Sequence, residues 1–560
     1  MTLSKHVSSG RLLASIQAKS PGSSGDYRTS SAIEHQAFNP YSSNYSTEPI
    51  PKFRIPDEGT EPETSYQLIK DDLELDGKPA LNLASFVNTY IDPHAEKLAV
   101  ENLNKNLSDN DEYPALISLH DRCVSIISHL WNVPSGNTAV GTATTGSSEA
   151  IHLGGLAMKR RWETRQKAAG RPYDRPNILL GANAQVALEK FARYFDVEPR
   201  IIPVCKESSY CLDVTKIKEE LDENTIGIFV ILGSTYTGHF EDVQAVSDIL
   251  DQYERETGFD ISIHVDGASG GLVAPFVHPN HVWDFRLDRV RSINTSGHKF
   301  GLTTAGLGWV LWKDVKYLPE SLIFILKYLG GDEKSYTLNF SRPGYPVIHQ
   351  YYNFITLGFN GFTRVHKASM ANARLFSNFL EATGYFECVS DVHRPRGQLV
   401  FDGSLQDTAA DADPESFNPG LPVVAFKFTE EFKEKYPDIP QAAVATLLRV
   451  KGYIIPNYPL PPSASDIQVL RVVVRYTLTV DILDRLMEDI VRVVERLILA
   501  VEKVDKSYAK GEKPSTIGDA LLTLVTNPNI EHEDEVEWET PDNTMNETRR
   551  KSRTVHSTFC

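Results

Sequence analysis

The sequence ISIHVDGASGG, residues 261–271, is the clearest indication of the fold of this chain. Its apolar first half ends in an acid, Asp266, and small residues follow. Two earlier stretches are also short apolar runs that lead into small residues, NILLGA at residues 177–182 and IGIFVILGSTY at residues 226–236. The second is rich in β-branched and aromatic residues. Each run has the length and composition of a buried strand bounded by small residues.

Helical patterns separate these strands, at residues 147–165 and 241–258. Strands that alternate with helices predict right-handed βαβ units, and hence an α/β fold with a mainly parallel sheet. A further amphipathic helix is predicted from about residue 480, where we expect it to pack in a second domain. Its apolar stripe consists of Ile482, Leu483, Leu486, Met487, Ile490, Val493, Val494, Leu497 and Val501.

Composition narrows the class of protein. The chain has 560 residues and a formal net charge of -17, which argues against nucleic acid or an anionic membrane as a partner. No apolar run reaches the roughly 18 residues of a transmembrane helix. Five cysteines without paired spacing indicate a reducing compartment, and we expect a cytoplasmic protein with neither a disulfide framework nor a metal site. The Ser-rich N-terminus has a faint likeness to a transit peptide, but a disordered tail is the favoured interpretation.

Four segments are predicted along the chain. Residues 1–60 form a disordered or docking segment, and residues 61–369 form an N-terminal arm with a large domain. Residues 370–505 form a smaller C-terminal domain, and residues 506–560 form a flexible charged tail. The tail has an acidic block, EHEDEVEWE, and a basic one, RRKSR. A calmodulin-binding tail is the alternative, but the basic block does not form an amphipathic helix.

Asp266 is the first candidate site residue. A carboxylate at the carboxyl end of a buried parallel strand is unfavourable unless a partner balances it, and ligands of open α/β sheets bind at this edge. A protonated ring nitrogen is a suitable partner. Ala268 points the same way two residues later and can lie flat against such a ring. The alternative is that Asp266 only caps the next turn.

A second candidate lies in GTATTGSSEAIHLGG, residues 141–155. Ser147 and Ser148 are predicted at a helix start, where free N–H groups and the helix dipole favour a phosphate. The stretch matches neither a Walker loop nor a dinucleotide-binding GxGxxG, so a nicotinamide oxidoreductase is disfavoured. The alternative is a plain N-cap formed by serine and Glu149.

The third candidate is Lys299 in SINTSGHKFG, residues 292–301. Taken alone it has the look of a surface lysine. A phosphate-binding helix start, a strand-end acid and a later lysine among small residues are together explained by pyridoxal phosphate. On that interpretation Lys299 forms the Schiff base, and Ser296 and His298 reach the phosphate.

Several longer motifs resemble the glutamate decarboxylase family. They are LNLASF (81–86), NKNLSDNDEYP (104–114), GTATTGSSEAIHLGGLAMKRRW (141–162), HVDGASGG (264–271), NTSGHKFGL (294–302) and LGGDEKSYTLNFSRP (329–343), and the likeness extends over roughly residues 60–500. The resemblance implies the aspartate-aminotransferase-like fold (fold type I) of pyridoxal-phosphate enzymes. That fold has a seven-stranded, mainly parallel sheet in the large domain and a smaller C-terminal α+β domain.

The resemblance also implies roles for individual residues around the cofactor. Lys299 matches the Schiff-base lysine, Asp266 the carboxylate on the pyridine nitrogen, and Thr235 a hydroxyl near the phenolic oxygen. Ala268 and Gln185 match residues on opposite faces of the ring. Phosphate contacts match Ser147, Ser148, Ser296 and His298, with Ser341 contributed by a neighbouring subunit.

For the substrate, the resemblance places the α-carboxylate on Arg471, with Arg475 as the competing choice. Ser85 and Phe86 match the segment that receives the distal carboxylate, and Asn106 and Asp109 match positions contributed across a dimer. A homodimer or hexamer is therefore implied.

The implied reaction converts L-glutamate to 4-aminobutyrate and carbon dioxide through an external aldimine and a quinonoid. The competing interpretations are a decarboxylase for aspartate, cysteine sulfinate or aromatic amino acids, and a non-catalytic scaffold that acts through its tails.

Overall fold

A computed structural model describes residues 55–56, 59–326, 333–398 and 413–509. Nearly all of the predicted N-terminal segment (1–60), the tail from residue 510 onward and its calmodulin-binding alternative lie outside the described residues. The described chain separates into two compact units, one up to Lys78 and one from Pro79. In the first unit residues 62–73 form helix α1, which begins at a proline.

Helix α1 belongs to the first unit, and helices and strands alternate along most of the second unit. The helices are α1 Pro62–Leu73, α2 Pro93–Glu101, α3 Pro114–Leu130, α4 Ser147–Ala168, α5 Val186–Tyr194, α6 Ile217–Glu220, α7 Val243–Thr257, α8 Ala274–Val277, α9 Tyr345–Ala382, α10 Glu430–Lys435, α11 Gln441–Val450 and α12 Val480–Ala509. The strands are β1 Val140–Thr144, β2 Asn177–Gly181, β3 Glu198–Ile202, β4 Thr225–Ile231, β5 Ser262–Asp266, β6 Val290–Ser296, β7 Gly308–Trp312, β8 Phe324–Leu326, β9 Glu333–Ser335, β10 Phe386–Cys388, β11 Val423–Phe428, β12 Asn457–Pro459 and β13 Gln468–Val473.

The second unit contains a seven-stranded sheet in the order β1-β7-β6-β5-β4-β2-β3. Neighbours from β6 to β3 pair in parallel, whereas β7 runs antiparallel to both β6 and β1. The predicted α/β fold with a mainly parallel sheet is confirmed. Because six strands share one direction, the carboxyl ends of β1, β4, β5 and β6 meet at a single edge of the sheet.

Burial on both faces explains why the sequences of the parallel strands are nearly continuous apolar runs. Strands β2, β4 and β5 are buried at every position, as expected for a parallel sheet covered on both faces. Helix α4 covers one face and contacts β4, β6 and β7. Its start is thereby fixed beside the edge where the strands end.

The C-terminal part of the chain contains a four-stranded antiparallel sheet in the order β10-β11-β13-β12. The predicted amphipathic helix is α12, and the residues of its stripe are buried or partly buried. The predicted division of residues 61–505 into two domains stays a prediction, and its boundary at residue 370 falls inside helix α9. That helix is interrupted earlier, at Gly358, where φ is 58°.

None of the helices in the described ranges combines the length and the apolar character that crossing a membrane requires.

A close backbone approach fixes the start of α4 against the sheet. A Cβ added to Gly308 in β7 would lie 2.4 Å from the carbonyl carbon of Gly146, the residue before α4. Real Cβ atoms do not come so close, and a backbone atom cannot rotate away as a side chain can. Gly308 therefore lets β7 and the turn between β1 and α4 touch.

We expect Gly308→Ala to lower the free energy of unfolding by about 1–3 kcal/mol, because the added methyl group must push two backbone segments apart. Urea denaturation followed by circular dichroism measures the change. Gly59→Ala is the matched control, since a Cβ there has no neighbour within 4 Å. Equal stability of Gly308→Ala and the unsubstituted protein would contradict the close approach.

Candidate active site

The predicted cofactor residues meet at the edge where the parallel strands end. Asp266 is the last residue of β5, and Ser296 is the last residue of β6, three positions before Lys299. Ser147 begins α4 just beyond the end of β1, and Thr235 follows β4. The sheet topology thus brings together residues that are up to 152 positions apart in the sequence.

Lys299 lies in the turn after β6 and is partly buried. Its Nζ donates a hydrogen bond to Ser269 Oγ at 3.3 Å and lies 5.5 Å from the centroid of the Phe86 ring. Burial lowers the pKa of Lys299 below the usual value, and the charge of Arg471 lowers it further, whereas the carboxylate of Asp266 opposes the change. A lowered pKa increases the fraction of neutral amine, the form that attacks a carbonyl carbon.

Asp266 is buried, and two donors stabilise its carboxylate. The Ala268 backbone N–H and Asn294 Nδ2 both donate to Asp266 Oδ1, at 3.0 and 2.9 Å. In the described part of the chain these bonds leave Oδ2 available to a ligand. The hydrogen bond to Ala268 is the turn-capping contact that was the alternative interpretation of Asp266, so this residue caps the turn and also presents a free oxygen.

The start of α4 presents hydroxyl groups rather than a conventional cap. The N-cap is Gly146, which makes no side-chain cap, and Ser147 Oγ bonds Ser296 Oγ at 2.6 Å. Ser148 is exposed on the same first turn. A plain serine N-cap is therefore not what the structure shows, and the free N–H groups of the first turn remain available to an anion.

His298 lies beside this helix start. A Cβ on Gly146 would be 3.5 Å from its Cε1. Its Nδ1 accepts a hydrogen bond from the Leu307 backbone N–H at 3.2 Å, and burial lowers the pKa of the imidazole to about 4. A neutral ring that accepts at Nδ1 carries its proton on Nε2, which makes His298 a hydrogen-bond donor for a phosphate oxygen.

The donor set fits pyridoxal phosphate. Ser147, Ser148, Ser296, His298 and the first turn of α4 offer hydroxyl, imidazole and backbone donors to a phosphate dianion. At the same edge, Lys299 offers an amine to the aldehyde and Asp266 a carboxylate to the ring nitrogen.

The two residues predicted to sandwich the ring are Ala268 and Gln185. Ala268 is partly exposed after β5, and Gln185 Oε1 caps α5 by accepting from the Ala187 N–H at 2.7 Å. Gln185 is exposed at the start of that helix. Their stacking roles stay predictions.

Arg471 and Phe86 connect the second sheet to the sheet edge. The Arg471 guanidinium donates to the backbone carbonyls of Thr235, at 2.6 Å, and Ala84, at 2.5 Å, and its carbon Cζ lies 5.0 Å from the Phe86 ring centroid. Phe86 therefore contacts two cations, Lys299 and Arg471. Ser85 Oγ accepts from the Val87 N–H at 3.1 Å, which fixes the turn that carries Phe86.

Arg475, the competing candidate for the substrate α-carboxylate, binds backbone carbonyls of the segment 79–87. It is buried and donates to the backbone carbonyls of Pro79, at 3.1 Å, Asn82, at 2.8 Å, and Val87. These bonds hold the segment that carries Phe86. Of the two arginines, Arg471 is the one that contacts the Phe86 ring and affects the pKa of Lys299.

Asn106, Asp109 and Ser341, the residues predicted to act across a dimer, lie together. Asn106 Nδ2 is 3.4 Å from Ser341 Oγ, and the Asp109 N–H donates to the Asn106 carbonyl at 3.3 Å. The loop that contains them is fixed to residues 340–344 by further bonds, including Leu107 N–H to the Arg342 carbonyl at 2.8 Å. The structure groups these three residues, and their catalytic assignment stays a prediction.

The sequence does not predict the roles of three residues near the site. Ser269 accepts from Lys299, and Asn294 donates to Asp266. The sequence predicts only a helix-capping role for Glu149, but its carboxylate joins the start of α4 to Leu338 and Asn339. Polar residues inside buried strands, such as Asn294, are a signal that the sequence does contain.

A group of potential metal ligands lies apart from this site, at Glu381, Cys388 and His393. Arg394 already binds Glu381 through both carboxylate oxygens, each at 2.8 Å, and His393 Nε2 is 3.2 Å from Oε1. The carboxylate is thus balanced by a cation, and the cluster is explained as an ion pair that ties the end of α9 to the next segment.

Comparisons with known proteins agree with this geometry. Residues 57–401 match the family profile described as the pyridoxal-dependent decarboxylase conserved domain. A glutamate decarboxylase of Saccharomyces cerevisiae is 46% identical over 531 residues, which is 90% of each chain. This chain belongs to the glutamate decarboxylase family of pyridoxal-dependent decarboxylases.

Two further relatives of the family agree. A glutamate decarboxylase of Solanum lycopersicum is 44% identical over 459 residues, 82% of this chain and 85% of its own. The solved structure of a glutamate decarboxylase from Lactobacillus brevis superposes with a TM-score of 0.73 at 35% identity, and the match covers 81% of this chain and 96% of that chain. The fold type and the cofactor, pyridoxal phosphate, are thereby confirmed.

We expect the titration of Lys299 to respond in opposite directions to two substitutions. Asp266→Asn should shift the labelling of Lys299 to lower pH, because it removes the charge that raises the pKa of the lysine. Arg471→Gln should shift the labelling to higher pH, because it removes a charge that lowers that pKa. The measurement is labelling of cofactor-free protein with an amine-reactive reagent at a series of pH values, read by mass spectrometry.

Labelling of Lys97, an exposed residue of α2, should not respond to either substitution and serves as the internal control. Shifts of Lys299 in the same direction for both variants would contradict the electrostatic account.

Proposed function

We propose that this protein decarboxylates L-glutamate to 4-aminobutyrate and carbon dioxide with pyridoxal phosphate as its cofactor. The observation that carries this function is the contact of both Lys299 Nζ and the Arg471 guanidinium with the Phe86 ring, beside Asp266. The nucleophilic amine of Lys299 and the guanidinium that would bind a substrate carboxylate thus contact the same aromatic ring. The choice of glutamate is supported by relatives described as glutamate decarboxylases at 46% and 44% identity over most of the chain.

The residues divide the chemistry between them. When bound, pyridoxal phosphate supplies an electron sink for the pair released as the Cα–carboxylate bond breaks. Asp266, whose Oδ1 accepts hydrogen bonds from two N–H donors, would provide the negative charge that favours a protonated ring nitrogen. Ser147, Ser296 and His298 would bind the phosphate, and Lys299 would provide the amine for the aldehyde carbon.

Substrate binding falls to Arg471 and the Phe86 segment. We assign the α-carboxylate to Arg471, whose guanidinium lies over the Phe86 ring and whose Nε has no partner in the described part of the chain. Ser85 and Phe86 face the distal end of the substrate. Holding both ends of the substrate fixes which bond of Cα is broken.

Decarboxylation replaces the carboxylate on Cα by a proton, so each turnover consumes one proton. We assign the delivery of that proton to Lys299 Nζ, which is held near the edge by its bond to Ser269. The alternative proton donor is a residue of the stretch KYLGGDEKSY, residues 327–336. Residues 327–332 of this stretch lie outside the described residues.

The first test is an assay of purified holoenzyme with L-glutamate. We expect 4-aminobutyrate from L-glutamate but not the corresponding amines from L-aspartate or L-tyrosine. Lys299→Ala should lower the rate by at least about three orders of magnitude, because it removes the nucleophile. Lys97→Ala, at an exposed lysine of α2, is the control and should keep full activity.

Cofactor binding without product from L-glutamate would overturn the substrate assignment while leaving the cofactor site in place. Turnover of aspartate or tyrosine would then identify the rival decarboxylase.

We further propose a homodimer, or a hexamer built from such dimers, in which Asn106, Asp109 and Ser341 of one subunit complete the site of the other. The support is their clustering with one another: Asn106 and Ser341 are hydrogen-bonded, and Asp109 bonds the Asn106 backbone.

Subunit complementation tests the shared site. Lys299→Ala and Asn106→Ala should each have low activity alone. When the two variants are dissociated and reassembled together, about a quarter of the wild-type activity should return, because half of the dimers are mixed and each mixed dimer has one intact site. No recovery, from mixed dimers whose formation is verified by mass spectrometry, would place both residues in the same subunit's site.

A cytoplasmic location is also part of the proposal. It is supported by five cysteines without paired spacing, which is typical of proteins in a reducing compartment. Cell fractionation is the direct check.

A further inference from the structure

Four buried polar side chains form a continuous chain of hydrogen bonds that ends on Asp266. Ser292 Oγ is 2.7 Å from His264 Nδ1, and His264 Nε2 is 2.8 Å from Asn294 Oδ1. Asn294 Nδ2 is 2.9 Å from Asp266 Oδ1. His264 and Asn294 have no exposed surface, and the exposed fractions of Ser292 and Asp266 are 2% and 4%.

The chemistry of the last link fixes the direction of every other link. An ionised carboxylate only accepts hydrogen bonds, so Asn294 must donate with its amide nitrogen and turn its oxygen toward His264. That oxygen only accepts, so His264 Nε2 carries the proton. His264 Nδ1 is then an acceptor, and Ser292 donates to it. All donors therefore point along one direction, toward Asp266.

The protonation of His264 agrees with this assignment. Burial lowers the pKa of its imidazole to about 4, so the ring is neutral near neutral pH and carries a single N–H. A neutral imidazole with one donor and one acceptor is what the two neighbours, Asn294 and Ser292, require.

The packing is built around the His264 ring. A Cβ on Gly154 of α4 would lie 2.3 Å from ring atoms of His264, so glycine is needed where the helix crosses the ring. On the sheet, Phe229 of β4 meets the ring edge-to-face with centroids 5.5 Å apart. Four polar groups thus occupy an apolar core position, where hydrogen bonding only to one another is the condition for burying them.

The register of two strands produces the last link. Asp266 of β5 pairs with Asn294 of β6, and His264 pairs with Ser292. The alternation of side chains along strands puts His264 and Asp266 on the same face of the sheet, as it does Ser292 and Asn294. The hydrogen-bonded chain Ser292–His264–Asn294–Asp266, called the relay below, therefore runs along both strands toward the edge of the cofactor site.

We propose that Asn294, oriented by His264 and Ser292, is a positioning residue that holds Asp266 Oδ1 so that the charged carboxylate presents Oδ2 to the ring nitrogen of the cofactor. This inference rests on pyridoxal phosphate as the cofactor, but it does not depend on glutamate being the substrate. Without the Asn294 donor, the bond from the Ala268 N–H is the one that Asp266 Oδ1 keeps within the described residues.

The test reads the ring nitrogen directly, in holoenzyme reconstituted with pyridoxal phosphate labelled with ¹⁵N in the ring. The ¹⁵N chemical shift of the bound cofactor distinguishes a protonated ring nitrogen from an unprotonated one. In the unsubstituted protein we expect the protonated value. Asn294→Leu, which keeps the side chain's size and removes the donor, should move the resonance toward the unprotonated value. It should also lower kcat about 10- to 100-fold with little change in KM.

Ser292→Ala is the milder second variant, in case Asn294→Leu does not fold. It removes the hydroxyl at the far end of the relay and should shift the resonance in the same direction by a smaller amount. Thr295→Val is the matched control, because Thr295 is the neighbour of Asn294 on β6, is fully buried, and has a hydroxyl without a hydrogen-bond partner in the described chain. It should leave the ¹⁵N resonance unchanged.

The outcomes separate the two ideas. An ¹⁵N resonance in Ser292→Ala and in folded Asn294→Leu that matches Thr295→Val overturns the inference, even if their thermal stability falls, because a purely structural role affects stability alone. An unprotonated ring nitrogen in the unsubstituted protein overturns it as well. If the ring nitrogen responds as expected but L-glutamate gives no product, the relay stands and the proposed substrate fails.

Discussion

The site depends on a buried negative charge, that of Asp266. Taking a carboxylate out of water is unfavourable unless donors or cations replace the lost hydration. Here two N–H donors reach Oδ1, and the carboxylate in turn favours the charged form of Lys299. Asp266 ends β5 and Lys299 lies in the turn after β6, so their interaction exists only when β5 and β6 lie side by side. The parallel sheet therefore allows the Asp266 carboxylate to be buried beside Lys299 at its edge.

Much of the site could be predicted because its signals are local. An apolar run that ends in an acid, a hydroxyl-rich helix start and a lysine among small residues are each visible within about ten residues. The order of these signals along the chain was enough to identify pyridoxal phosphate. Asp266, Ser147 and Lys299 were found in this way, and the fold class followed from the alternation of strands and helices.

What the sequence could not supply are the contacts set by register and by long loops. The pairing of Asp266 with Asn294 depends on how β5 and β6 are aligned, and a slip of one residue would turn Asn294 to the other face. The choice between Arg471 and Arg475 depends on which backbone carbonyls of the segment 79–87 each guanidinium meets. The reversed direction of β7 and the break of α9 at Gly358 likewise have no sequence signal as clear as an apolar run.

Glu149 shows how little variation one position can tolerate. Its carboxylate accepts five hydrogen bonds, two from Thr145, one from Leu338 and two from Asn339. All five partners are donors, so glutamine, which has the same shape, would turn an N–H group toward other N–H or O–H groups. Glu149 thus joins the start of α4 to the segment that leads to Ser341, together with the hydrogen bonds from Asn339 Nδ2 to Thr145 Oγ1 and from the Tyr336 hydroxyl to the Gly141 carbonyl. Three of the five donors are backbone N–H groups, which every residue except proline supplies, so the chemical requirement lies on Glu149 itself more than on the segments it joins.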